Sequence, residues 1–257
     1  MNALSKMNAV VVKGRRKASA VPLLFLHGIG NGAWVWESVQ EQVAGLGYSS
    51  WAVDLPGHGA DVGSNPCLQD IKDSVLDALT EFEEKVCVIG HSMGALVAQM
   101  VASDVDLHSM VLMCSAPPKE VRPRLRPRHL LSGLGNAWPL MRGDHLDFRG
   151  KAYRELGFNC IESHEIEAIE QQVTPWPNRL ARELFFRRPS VAPARCPVLV
   201  VSGLEDRLIS SATAQRIARY HGGALALHVD DVGHFPQLEP GGPKLMKQVL
   251  EWVSLVE

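Results

Sequence analysis

The run Val86-Cys87-Val88-Ile89-Gly90-His91-Ser92-Met93-Gly94-Ala95 constrains this chain more than any other stretch. An apolar segment leads into Gly-His-Ser-Met-Gly, and an alanine-rich, helix-compatible segment follows. That order predicts a strand, a sharp turn and a helix, with a serine at the apex. A side chain two residues to either side would crowd so tight a turn, and both positions are glycine. The hydroxyl of Ser92 is then held above the end of a sheet, with the next helix N-terminus aimed at it.

The rest of the chain repeats the theme. Residues 8–13, 21–26, 49–53, 85–89, 109–114, 197–202 and 224–229 read as strands. Residues 34–46, 68–84, 92–103, 211–220 and 243–255 carry helical patterns. Such alternation predicts an α/β fold, a mostly parallel sheet with helices on both faces. Ligands of such sheets bind outside the carboxyl ends of the strands. Residues 117–193 differ: no clear strand, helical stretches at 162–172 and 179–186, and prolines at both ends. They read as a helical insertion over the carboxyl edge, between core segments 1–116 and 194–257, within one structural domain.

The bulk numbers narrow the partners. At 257 residues, 46% apolar and 21% charged, the chain can bury a large core. A net charge of -2 argues against a nucleic-acid or membrane-surface partner and leaves a small molecule. Five scattered cysteines without a C-x-x-C fit free thiols in a reducing compartment. No secretory leader and no apolar run of about 18 residues is visible, so the expected setting is cytoplasmic, as a monomer or homodimer. The basic stretch from Arg122 through Arg124 and Arg126 to His129 reads as a solvated loop, or as an attractor of an anionic substrate.

A serine hydroxyl needs a base, a carboxylate to orient that base, and donors for an oxyanion. His234, in Asp231-Val232-Gly233-His234-Phe235 just past the last strand, is the expected base. Asp206, in the loop after strand 197–202, is the expected carboxylate, with Glu205 as its main rival; Asp230 and Asp231 follow the final strand but are close in sequence to His234. The order Ser92, Asp206, His234 is a known one for this constellation. His91 reads as structural, and Asp54-Leu55-Pro56-Gly57-His58-Gly59 as a turn scaffold. The expected oxyanion donors are the amides of Met93 and of Ile29, the latter in the loop His27-Gly28-Ile29-Gly30-Asn31-Gly32. Candidate pocket residues are Trp34, Leu208 and Phe235, with Trp138, Phe148, Trp176 and Phe185 from the insertion.

With H-G-I-G at His27, D-L-P-G-H-G at Asp54, G-H-S-M-G at Gly90, S-G-L-E-D at Ser202 and G-H-F at Gly233, the chain resembles the α/β-hydrolase superfamily over its whole length. The resemblance implies the α/β-hydrolase fold with eight mostly parallel strands, and residues 117–193 as a helical cap. It implies hydrolysis with no metal and no organic cofactor. A serine nucleophile separates the chain from the aspartate-based dehalogenase and epoxide hydrolase branches. The expected activity is cleavage of a carboxylic ester or lactone of a small, mainly apolar substrate. The alternatives are a carbon–carbon bond hydrolase of a dienoic diketo acid, its carboxylates held by Arg122, Arg124, Arg126 and Arg142, an amidase or perhydrolase, and a small-ligand receptor without turnover.

Overall fold

The structure is a computed structural model that describes residues 2–15, 21–123, 142–147 and 149–256. Its centre is a sheet built from β1 (Val10–Val12), β2 (Leu23–Leu26), β3 (Ser50–Val53), β4 (Cys87–His91), β5 (Ser109–Met113), β6 (Val198–Gly203) and β7 (Leu225–Val229). The strand order is β1-β3-β2-β4-β5-β6-β7, and only β1 runs antiparallel to its neighbour. Seven strands are therefore seen among the described residues, one for each apolar run read from the sequence. The eighth that the resemblance implies is not among them. Ahead of β2 the described chain forms the one-turn helix α1 (Ala3–Lys6) and then β1 alone.

Strands β2, β4, β5 and β6 are buried on both faces, which is why they read as continuous apolar runs. Alternation along each strand divides the core in two. Leu24, Leu26, Val88, Met110, Leu112 and Val200 face α3 (Leu68–Leu79), α4 (Met93–Val101) and α8 (Ser211–Tyr220). Leu23, Phe25, Ile89, Val111, Met113 and Val201 face α2 (Glu37–Gly45) and α9 (Gly242–Leu255). Helix α4 is buried at every position because it lies between the sheet and α3.

Helix α3 stops at Leu79, short of the helix read to residue 84. The hydroxyl of Thr80 donates to the Asp77 carbonyl, and Phe82 folds back edge-on against Trp51, 4.9 Å between ring centroids. The segment between β5 and β6 carries α5 (Lys151–Leu156), α6 (Ser163–Gln172) and α7 (Asn178–Phe186). No strand of the sheet comes from its described residues.

Candidate active site

Ser92 occupies the residue between β4 and α4, with φ 52° and ψ -112°. A positive φ is costly for any residue with a side chain, by roughly 1–3 kcal/mol. Its surroundings hold it there. The Ser92 amide donates to the Met113 carbonyl at 2.9 Å, and the Ser92 carbonyl accepts from Ala116 at 3.0 Å. A Cβ on Gly90 would lie 2.5 Å from the Ala95 Cα, and one on Gly94 would lie 2.4 Å from the Leu26 carbonyl oxygen. Both glycines are required by close backbone approach. Ser92 itself is half-buried.

His234 Nε2 lies 3.2 Å from Ser92 Oγ, and His234 Nδ1 lies 2.9 Å from Asp206 Oδ2. The other Asp206 oxygen accepts from the amides of Leu208 (2.7 Å) and Ile209 (2.8 Å). With one oxygen fixed by backbone, the other is left to face the ring. Asp206 and His234 are both buried, 2% and 3% exposed. Of the rival acids, Glu205, Asp230 and Asp231 point to solvent. The acid carbon chain of Asp206 also sits beside the Cys114 thiol, whose pKa burial pushes well up. Donor atoms of Cys114, Asp206 and His234 lie within 4.8 Å of one another, the one such trio among the described residues. Asp206 and His234 are hydrogen-bonded to each other, and the Cys114 thiol donates to the neighbouring Gly233 carbonyl at 3.6 Å, which brings the three together.

The two expected oxyanion donors come from different strands. Met93 opens α4, and Ile29 follows β2. Among the described residues, neither amide donates to a protein acceptor. The Ile29 loop is tied down by His27, whose Nδ1–H donates to the Gly28 carbonyl (2.8 Å) while Nε2 accepts from the Leu55 amide (2.9 Å). That pairing needs a neutral ring, and burial lowers the pKa of His27 to about 3. Burial likewise lowers His58 to about 4. The Asp54 loop is a scaffold, as read: one oxygen accepts from the Ala33 amide (2.8 Å), the other from the Asn8 side chain (2.9 Å). His91 is fully buried and its Nε2 bonds the His234 carbonyl at 2.7 Å. Burial holds its pKa well below the ordinary value, so it donates as a neutral ring.

Around the pair lies an aromatic cluster. Phe235 is buried against His91, His234 and Phe158, with centroids 4.9–5.2 Å apart. Trp34 and Trp176 pack on the same cluster as Tyr153 and Phe235. Trp176 crosses from the helical segment to the glycine loop after β2: a Cβ on Gly30 would lie 2.4 Å from its Nε1, and the Thr174 amide donates to the Gly30 carbonyl at 2.8 Å. Leu208 is half-buried beside Asp206. Phe185 stacks on Trp176, yet half of it faces solvent. Arg122 and Arg142 are exposed. Trp138, Phe148, Arg124 and Arg126 lie outside the described residues.

One functional residue escaped sequence reasoning. Glu239, 3% exposed, accepts from the Gly233 amide (2.5 Å) and the Phe235 amide (3.0 Å), the residues on either side of His234. Its only sequence signal was an acid in a glycine- and proline-flanked stretch, three residues ahead of a helix.

A model described as the alpha/beta hydrolase family matches residues 23–242. Methylesterase 7 of Arabidopsis thaliana is 35% identical over 85 residues, 31% of this chain and 33% of the relative. The pimeloyl-[acyl-carrier protein] methyl ester esterase of Aeromonas salmonicida is 29% identical over 164 residues, 60% of this chain and 59% of the relative. The chain thus spans less than two thirds of the length of these curated relatives. Among solved structures, the thermophilic esterase of Thermogutta terrifontis superposes with a TM-score of 0.73 at 18% identity, over 96% of this chain and 93% of that one. No helix among the described residues is long and apolar enough to cross a membrane.

Proposed function

The chain belongs to the alpha/beta hydrolase family, and from that premise we propose that it cleaves a carboxylic ester or lactone of a small, mainly apolar molecule through an acyl-enzyme on Ser92. The observation that carries the reading is the hydrogen-bonded series Ser92–His234–Asp206 at the carboxyl edge of the sheet. Relatives named as methylesterases and as a methyl ester esterase point to the same bond.

His234 Nε2 takes the Ser92 proton as Oγ bonds to the substrate carbonyl carbon. The carbonyl π electrons move to oxygen, and the Ile29 and Met93 amides donate to that oxyanion. The C–O bond to the alcohol breaks, and the leaving oxygen takes the proton from His234. A water then attacks the acyl carbonyl, giving its proton to His234, and Ser92 leaves with that proton as the acid departs. Asp206 fixes Nδ1–H on the imidazole and faces the positive charge that forms at each proton transfer. Residues 117–193 serve as a cap over the site. Trp34, Leu208, Phe235 and Trp176 wall the pocket, with Phe185 at its outer rim. The five free cysteines fit a reducing, cytoplasmic setting.

The test is hydrolysis of p-nitrophenyl acetate, butyrate and octanoate by wild type and Ser92→Ala, side by side. A Ser92-dependent rate with a chain-length optimum is expected. No Ser92-dependent rate on any ester sinks the reading.

A further inference from the structure

A buried carboxylate that the proposed chemistry does not use stands next to its base. Glu239 sits between β7 and α9, and its two oxygens each take one backbone N–H, from Gly233 and from Phe235. Those amides bracket His234, so one side chain fixes the peptide on both sides of the imidazole. Two donors aimed at two separate oxygens are best matched by an ionised carboxylate, which has acceptor capacity on both.

We propose that Glu239 is a positioning residue for His234: its carboxylate clamps the base loop, and its charge lies in the field of the imidazolium that forms during turnover. The idea rests on the reading of His234 as the base. Burial raises the pKa of Glu239; against that, the Gly233 and Phe235 amides and a positive His234 favour its charged form. Two further facts support the idea. The groups facing the clamp are His234, Asp206, Cys114 and Cys160, so no cationic side chain among them competes for Glu239. The remaining backbone hold on His234, the His91 ring on its carbonyl, comes from β4, so the loop is pinned from two sides. A loop that only needed closing would not require a carboxylate; a polar pair on the surface would serve. Burying this one costs free energy unless it is hydrogen-bonded, and both of its bonds go to the residues flanking His234.

Two variants and two readouts test the role. Glu239→Gln keeps one acceptor oxygen and loses the charge and the second acceptor. We expect kcat on a p-nitrophenyl ester to fall by about 10–100-fold with KM changed little, the mark of a misplaced base rather than a lost binding contact. The far-downfield proton NMR resonance of the His234–Asp206 hydrogen bond should broaden or vanish in the same variant. Glu239→Asp keeps the charge with a shorter reach and should fall between Gln and wild type in both readouts, which covers the case in which Gln fails to fold. Wild-type kcat and an unchanged resonance in either folded variant overturn the proposal, whatever happens to Tm. The resonance needs no turnover. A wild type inactive on every ester, with the resonance lost in Glu239→Gln, would leave the positioning role standing and remove the hydrolase reading alone.

Discussion

The carboxyl edge of the sheet and the helical stretch between β5 and β6 are held together by different means. At the edge, each group is fixed several times over: Ser92 by three backbone hydrogen bonds and the close backbone approaches at Gly90 and Gly94, Asp206 by two amides, His234 by His91 and by the Glu239 clamp. The helical stretch meets that edge at separate points, Thr174 and Trp176 on Gly30, Asn159 on the Glu205 carbonyl, Arg207 on the Glu155 carbonyl and Phe158 against Phe235, while Phe185 and Phe186 stay 51% and 74% exposed. Positional precision is concentrated where bonds would be made and broken. The described residues of the stretch above, within 117–193, bond to neighbours of Ser92, Asp206 and His234 and to none of the three directly, which leaves its outer face, with Phe185 and Phe186, the part with most room to vary.

The sharpest break of this contrast is Ser92→Ala. Its kcat on the best p-nitrophenyl ester should drop by about 10⁴–10⁶, with Tm unchanged or raised, since the substitution leaves the aromatic cluster intact. Next comes Gly94→Ala, which drives a methyl to within 2.4 Å of the Leu26 carbonyl and 2.5 Å of the His27 carbonyl. Chemical denaturation should register a loss of about 3 kcal/mol or more, or the protein should fail to fold; an unaltered midpoint would mean that the elbow gives way easily.

A milder probe is pH. His27, His58 and His221 are buried neutral, with pKa values lowered to about 3, 4 and 4. In the unfolded chain they take up protons near pH 6.5, so between about pH 6.5 and 4 the unfolded state binds more protons than the folded one. Stability is fully present above the unfolded value and falls as pH drops through that window. Each histidine contributes at most about 1.4 kcal/mol per pH unit to the slope. Urea titrations at pH 7, 6 and 5 read it directly, and a flat profile would mean that these rings do not stay neutral. The helical stretch is probed by Trp176→Ala, expected to change KM and the chain-length optimum by several-fold while leaving kcat on acetate within about threefold. A collapse of kcat there would erase the contrast. Smallest of all, Phe186→Ser should move stability by no more than about 0.5 kcal/mol.

Much of the edge was legible in the sequence because its signals are local. Each strand is an apolar run, α8 falls at 211–220 as its periodicity predicts, and Ser92, Asp206 and His234 each follow a strand in the order their chemistry uses. What escaped depends on residues far apart in the chain or on segments too short to carry a period. The helices at Ala3–Lys6 and Lys151–Leu156 span a turn or two and have no repeat to detect. Phe82 kept the spacing of α3 but packs on Trp51 after the helix has ended, so periodicity overran the element by five residues. Glu239 lies only six and four residues from the Gly233 and Phe235 amides, yet no periodic element links them, so it reads as an ordinary loop acid. Trp176 and Gly30 stand far apart in sequence, and nothing near either names the other.

The direction of β1 has a consequence for how the molecule meets others. It is the one strand that runs against the rest, three residues long, with Val10 and Val11 nearly half exposed. A strand at the rim of a sheet is a template on which a foreign chain can crystallise as the next strand. Here the template is cut to three residues and reversed, and it is followed by Lys13, whose ammonium lies 4.5 Å from the Trp51 ring centroid. A newcomer running in either direction finds only a three-residue stub to pair with. The short reversal works as a selvedge: it finishes the weave on that side, so that a sheet this apolar ends within its own chain.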